Sequence, residues 1–304
     1  MNAVVQLLEK VLPVFVLLGL GVLCRTKQLL TREGVNALKN VAVNIALPAV
    51  MFSAFADAEY TARSICVPLM IFLLCILSLY AGMALCRWMK IPGRLSPFLS
   101  AGFEAGMLGY SLFAILFPGE EASFAMVDLG QVLFVFTVYK VLLARKDGLK
   151  GALKEAASST TVWAIVAGLL FGVTGLYRAL QPSGISGVID ATADFIAAPT
   201  SALILLAIGY DLAPAQIKWK KISRLLLLRL GVSGAALAVA LLVDRFVFGG
   251  MMHLGAALLL FILPPPYVLP VFADVEEERT DVSSALSALT VVSIALFAVL
   301  AAVM

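Results

Sequence analysis

Residues 96–117 read SPFLSAGFEAGMLGYSLFAILF. The stretch is long enough to cross a bilayer, since about 20 apolar residues of helix span the hydrocarbon. Its middle nonetheless holds Gly102, Glu104, Gly106 and Gly109. A carboxylic acid and several glycines are costly in an unbroken helix facing lipid, so the segment must face protein or a water-filled cavity. Far downstream, residues 252–272 repeat the arrangement with other residues: an apolar span broken by Pro264, Pro265 and Pro266, and again by Pro270. Consecutive prolines remove backbone donors and exclude regular helix.

The surrounding chain has 304 residues, is 62% hydrophobic with a mean hydropathy of +1.03, and is only 13% charged, against about 25% in soluble domains. That composition defines an all-α polytopic membrane protein. Ten apolar stretches are legible, at 4–23, 35–56, 64–86, 96–117, 122–144, 159–180, 190–210, 222–248, 252–272 and 280–303. The connections are short and leave no room for a soluble domain. The cysteines (Cys24, Cys66, Cys75 and Cys86) lie in or at the ends of these stretches. They read as small apolar fillers, not as a disulfide framework or a metal site. Residues 1–23 lack a small-residue cleavage site and are expected to be a retained first helix.

Lysine and arginine mark the cytoplasmic loops. Sixteen basic residues fall on the odd-numbered loops, among them Arg25, Lys27, Arg87, Lys90, Arg145, Lys146, Lys218 and Arg279. Only Lys10, Arg63, Arg178 and Arg245 fall on the other side. Both termini are therefore expected outside. Lys140 and Arg229 lie inside spans, near their expected cytoplasmic ends, where long side chains snorkel to the interface. The acidic run 274–281, DVEEERTD, reads as a solvated turn, and His253 as an interfacial residue.

Five spans on each side of the polar connection at 145–158 place the second half upside down relative to the first. The expected organisation is a repeat over 1–144, a cytoplasmic linker over 145–158, and an inverted repeat over 159–304. The second span of each half carries a matching stretch, IALPA at 45–49 and IAAPT at 196–200. The fourth span of each half is an interrupted one. Interrupted spans at corresponding places in two halves point to a substrate site where broken helices 4 and 9 cross near the midplane. Half-helix N-termini there favour an anion. The competing reading is a pair of simple kinks in a helical receptor or channel.

Glu104 is the most informative residue. A carboxylate at bilayer depth is paired, hydrated or protonated, which makes it a candidate for proton coupling, or else a structural acid bonded to backbone freed by the break. An ionised Glu104 at about 4 Å from an anionic substrate would cost on the order of 4 kcal/mol at an effective dielectric near 20. Glu104 is therefore neutral when an anion binds, or the substrate is not a simple anion. Gly106 and Gly109 are expected to allow close backbone approach in span 4. Asp128 and Gln131 lie one turn apart on span 5, and Asn40 and Asn44 one turn apart on span 2. Each pair either lines the cavity or joins helices by hydrogen bonds. Asp190 and Asp194 are expected to face water. There is no phosphate loop, no HExxH and no nucleophile with a base in register, so no catalytic residue, cofactor or metal is expected, nor a nucleic-acid partner.

These residues resemble the auxin efflux carrier family along nearly the whole chain. Residues 38–48 (LKNVAVNIALP) look like its helix ending in a leucine-proline pair. Gly119, Glu120 and Glu121, followed by DLGQVLFVFT at 128–137, are similar to its fifth helix and the turn before it. Ala198–Pro199, Ala207–Gly209 and the prolines of span 9 fit as well. The resemblance implies two inverted five-helix repeats, an elevator-like movement of a transport domain against a scaffold that includes helices 2 and 7, a homodimer, and organic acids as substrates. The short central loop implies a prokaryotic inner-membrane member. In span 4 the family's Asn-Thr-Gly and Gly-x-Pro are replaced by Glu104-Ala105-Gly106 and Gly109-Tyr110-Ser111, which implies proton coupling, a different substrate, or both. The expected function is thus a secondary transporter of a small organic solute, most simply a carboxylate, with Glu104, Gly106, Gly109, Tyr110, Ser111, Asn40, Asn44, Asp128, Gln131 and Pro264–Pro266 as candidate site residues. The alternatives are a transporter-like sensor that binds without moving its ligand and a sodium-coupled symporter of the bile-acid type.

Overall fold

The computed structural model describes residues 3–58, 60–61, 64–143, 151, 154, 157–212, 219–269 and 276–304. Pro270, residues 274 and 275 of the acidic turn and most of the 145–158 linker lie outside the described residues. Among the described residues the regular structure is entirely helical. Helix α1 runs Ala3–Thr26. Next come α2 (Arg32–Asp57), α3 (Cys66–Trp88), the interrupted α4 (Ser96–Leu116) and α5 (Glu121–Leu143). Helix α6 (Thr160–Val173) bends by 67° into Leu176–Ser183, and α7 (Ile185–Asp211) and α8 (Ile222–Phe248) follow. The last two are α9 (Leu254–Ile262) and α10 (Glu276–Val303). Among the described residues seven helices are long and apolar enough to cross a membrane, or eight if the bent α6 pair counts as one span. This is an integral membrane protein.

Polar side chains start several helices by accepting from backbone donors that have no partner within the helix. Thr31 accepts from Gly34 N–H at 3.1 Å at the head of α2, and Ser159 from Val162 N–H at 3.3 Å at the head of α6. His253 does the same for α9, its Nδ1 accepting from Ala256 N–H at 3.0 Å. The chain's one histidine is thus a helix cap.

The helices pack into two compact units, and each takes segments from both sides of the central linker. The first comprises Met1–Ser64, Gly106–Met126 and Ala156–Leu212. In it α1 lies along the second half of α7, and the second half of α2 along α6. Gly21 and Gly209 make the first contact possible: a Cβ on Gly21 would overlap the Leu206 carbonyl oxygen, and one on Gly209 that of Leu18. Gly168 serves α6 in the same way against the Phe52 carbonyl, and the Phe52 and Phe171 rings meet edge-on at 5.6 Å. Small residues matter here because lipid supplies no hydrophobic drive between helices, leaving close packing to hold them. At one end Asp211 pairs with Arg32 (2.6 Å) and with Lys39, while Arg25 donates to the Tyr210 carbonyl at 3.1 Å.

The second unit comprises Ile65–Ala105, Val127–Glu155 and Ala213–Met304. Here α3 and α8 pack on each other and on the turn Ser96–Ser100 that opens α4, while α8, α9 and α10 form a mutually packed group. Gly82 admits Ser100, and Gly130 admits the Pro68 carbonyl. Glu278 of α10 accepts from Leu95 N–H at 3.0 Å and fastens the entry of α4.

Overpacking a tight helix contact costs about 1–3 kcal/mol. Gly209→Ala is therefore expected to lower thermal stability of the purified protein by that amount. Gly187→Ala, on the same helix with nothing within 4 Å of the added atom, is expected to leave it unchanged.

Candidate functional site: two interrupted helices

Pro97 opens a 3-10 turn over Ser96–Ser100. The chain leaves helical geometry from Ala101 to Glu104, then re-enters through a π turn at Ala105–Gly109 and an α-helix at Tyr110–Leu116. The glycine that this break requires is Gly102. Its φ of 70° is left-handed, a region costly for residues with a Cβ. A Cβ there would also press on Pro266 at 3.1 Å. Gly106, expected to allow close approach, sits in the π turn instead, where a Cβ would make ordinary contact with Leu47 at 3.5 Å; Gly109 ends the same turn.

Helix α9 ends at Ile262 for a related reason. In a continuous helix the carbonyls of Leu260, Phe261 and Ile262 would accept from residues 264–266, which are prolines and have no N–H. Leu263 N–H turns back to Leu260 at 3.2 Å, and residues 264–266 run on outside the helix, all three buried.

The two interruptions hydrogen-bond to each other. Glu104 N–H donates to the Pro264 carbonyl at 2.8 Å, and Tyr267 N–H donates to Glu104 Oε2 at 2.6 Å. Side chains from neighbouring helices bond to further carbonyls in or beside the breaks. Gln131 Nε2 donates to the Phe103 carbonyl, the Tyr139 hydroxyl to the Phe98 carbonyl at 3.0 Å, and Arg229 Nη2 to the Leu263 carbonyl at 2.9 Å. The Tyr267 hydroxyl shares a hydrogen bond with Thr290 at 3.0 Å. Asp128 is fully buried. Asp128 and Arg229 both lie within electrostatic reach of Cys75, and Arg229 and Glu104 both within reach of Tyr139.

Of the residues singled out in the sequence, Glu104, Asp128, Gln131 and Pro264–Pro266 belong to the second unit, and the hydrogen bonds above tie Glu104 to the proline run. Gly106, Gly109, Tyr110, Ser111, Asn40 and Asn44 belong to the first. There the Tyr110 ring is buried edge-on against Phe124 at 4.8 Å, and Ser111 Oγ donates to the Met107 carbonyl one turn back at 2.8 Å. Asn40 and Asn44 are exposed, with Asn44 Oδ1 accepting from Thr160 at 3.4 Å. Asp190 accepts from the Tyr177 hydroxyl, so it is not simply solvated, while Asp194 is exposed.

Two cations lie elsewhere than the sequence leads one to expect. Arg229 does not snorkel: it is 2% exposed and packs its guanidinium over the Phe103 ring at 4.7 Å. Lys140 is buried as well, over Phe136 at 4.5 Å. The available signal was the position of Arg229 in α8, five residues after Arg224 and within an otherwise apolar run. A cation placed there is either at the interface or in the protein interior, and loop charge counting assumes the first.

Among the described residues no group of three or more metal-ligating side chains comes together. A helical membrane chain that gathers buried polar groups at two helix breaks has the form of a carrier. A family model described as Membrane transport protein matches residues 6–160. The chain belongs to this family, the auxin efflux carrier family, and is a membrane transporter. It is also 29% identical, over 214 residues covering 67% of each chain, to an uncharacterized transporter of Methanothermobacter thermautotrophicus.

Gly102→Ala meets both a left-handed backbone and Pro266, so it is expected to cost about 2 kcal/mol or more. Gly106→Ala is expected to be tolerated. Thermal unfolding of the two variants shows which glycine the interruption needs, and equal losses would contradict the assignment to Gly102.

Proposed function

We propose that the chain is a secondary transporter of a small organic acid, working by alternating access at the two interrupted helices, with Glu104 coupling transport to protons. The observation that carries this reading is the pair of hydrogen bonds from residue 104 to the second interruption. A backbone N–H at a helix break favours a carboxylate, and here Tyr267 N–H receives that of Glu104. A substrate carboxylate arriving at the same donors meets a resident one. Protonating Glu104 removes the repulsion between them and weakens its hold on Tyr267, so proton and substrate bind together.

In this reading ten spans form two inverted five-helix repeats with α4 and α9 crossing near the midplane. The second unit, which contains both interruptions, carries the site through an elevator-like movement. The first unit, which contains α2 and α7, is the scaffold and the dimer-forming part. The protein sits in a prokaryotic inner membrane with both termini outside, as the loop charges favour.

The test is uptake of malonate or succinate into proteoliposomes under an inward proton gradient. Wild type is expected to accumulate the acid. Glu104→Gln is expected to exchange it across the membrane without gradient-driven accumulation. Equal accumulation by the two proteins would remove the proton-coupling role. Binding without flux in wild type would favour a sensor, and accumulation only under a sodium gradient would favour a sodium symporter.

A further inference from the structure

We infer that Arg229 is the group that receives the carboxylate of the transported acid, an assignment that rests on the carrier reading above. Arg229 enters from α8 with 2% of its surface exposed. Nη2 is held by the Leu263 carbonyl at 2.9 Å, and that carbonyl is available only because Pro264–Pro266 end α9. The flat face of the guanidinium lies over Phe103 at 4.7 Å. Phe103 is in turn fixed at both ends: its ring meets Phe261 edge-on at 5.1 Å, and its carbonyl takes the Gln131 amide. The carbonyl released by the proline run and a ring within the α4 interruption therefore orient the cation.

One donor is left over. Nη1 of Arg229 is buried with no hydrogen-bond partner among the described residues. Buried donors almost always have partners, and an unmet one on a charged group is especially costly. An acceptor that matches the planar fork of a guanidinium is a carboxylate. The charge balance points the same way. Glu104 and Asp128 are both on the second unit, and Glu104 contributes its carboxylate to the helix break itself. An anion entering beside such acids needs a cation, and among the described residues Arg229 is the buried one that bonds directly to the break. Gln131 and Phe103 are positioning residues for it.

The experiment measures dissociation constants in lipid nanodiscs for malonate, succinate and indole-3-acetate, each against its neutral amide, with wild type and Arg229→Lys. Lysine keeps the charge but lacks the planar fork and its stacking on Phe103. Removing one partner of a buried charge pair costs at least about thirtyfold in affinity. Wild type is therefore expected to prefer at least one acid over its amide by that factor, and Arg229→Lys to lose most of the preference. An unchanged preference in Arg229→Lys, with acid transport intact in wild type, overturns the assignment to Arg229 and leaves the carrier reading standing. Equal affinity of wild type for every acid and its amide overturns it without use of the variant, so misfolding of Arg229→Lys does not shelter it. Neither binding nor flux of any acid in wild type overturns both readings.

Discussion

The hydrogen bonds between residue 104 and residues 264 and 267 answer a constraint that governs the whole second unit. Inside a bilayer there is no water to satisfy backbone groups released by a broken helix, so each must find a partner within the protein. Breaking α4 at Gly102 and α9 at Pro264–Pro266 releases such groups in two places. Two bonds run directly from one break to the other, Glu104 N–H to Pro264 and Tyr267 N–H to Glu104 Oε2. Either interruption alone would leave those groups unmet, so the two breaks depend on each other.

The same constraint explains why polar side chains occur so deep in the chain. Gln131 and Tyr139 of α5 and Arg229 of α8 each end on a carbonyl in or beside one of the breaks. These contacts make a side chain expensive to bury alone and favourable to bury in place. The close helix approach at Gly82 and Gly130 belongs to the same design, since it brings α3 against α4 and α5 near these bonds.

The positions of the two helix interruptions were legible in the sequence because their causes are local: a run of prolines, and glycines with an acid in an apolar span. The bonds around them were legible only in part. Gly102, not Gly106 or Gly109, carries the left-handed backbone, and a row of glycines in a string gives no hint which one turns. Pairing is a long-range fact, so the partners of Glu104 and Gln131 had no local signature. Arg229 has the sequence position of an interfacial cation, near a span end, and its burial comes from partners on other helices. The helical, membrane-spanning class followed from composition alone, whereas two packing units that each draw on both halves of the chain follow from no periodicity.

The bonds around the interruptions from Phe98 to Glu104 and from Leu263 to Tyr267 begin and end within the second unit. The backbone groups at the breaks therefore keep their partners at bilayer depth as long as that unit is folded. Within it Glu104, Gln131, Arg229 and the prolines hold one mutual geometry. The cost of two broken helices is then met on folding.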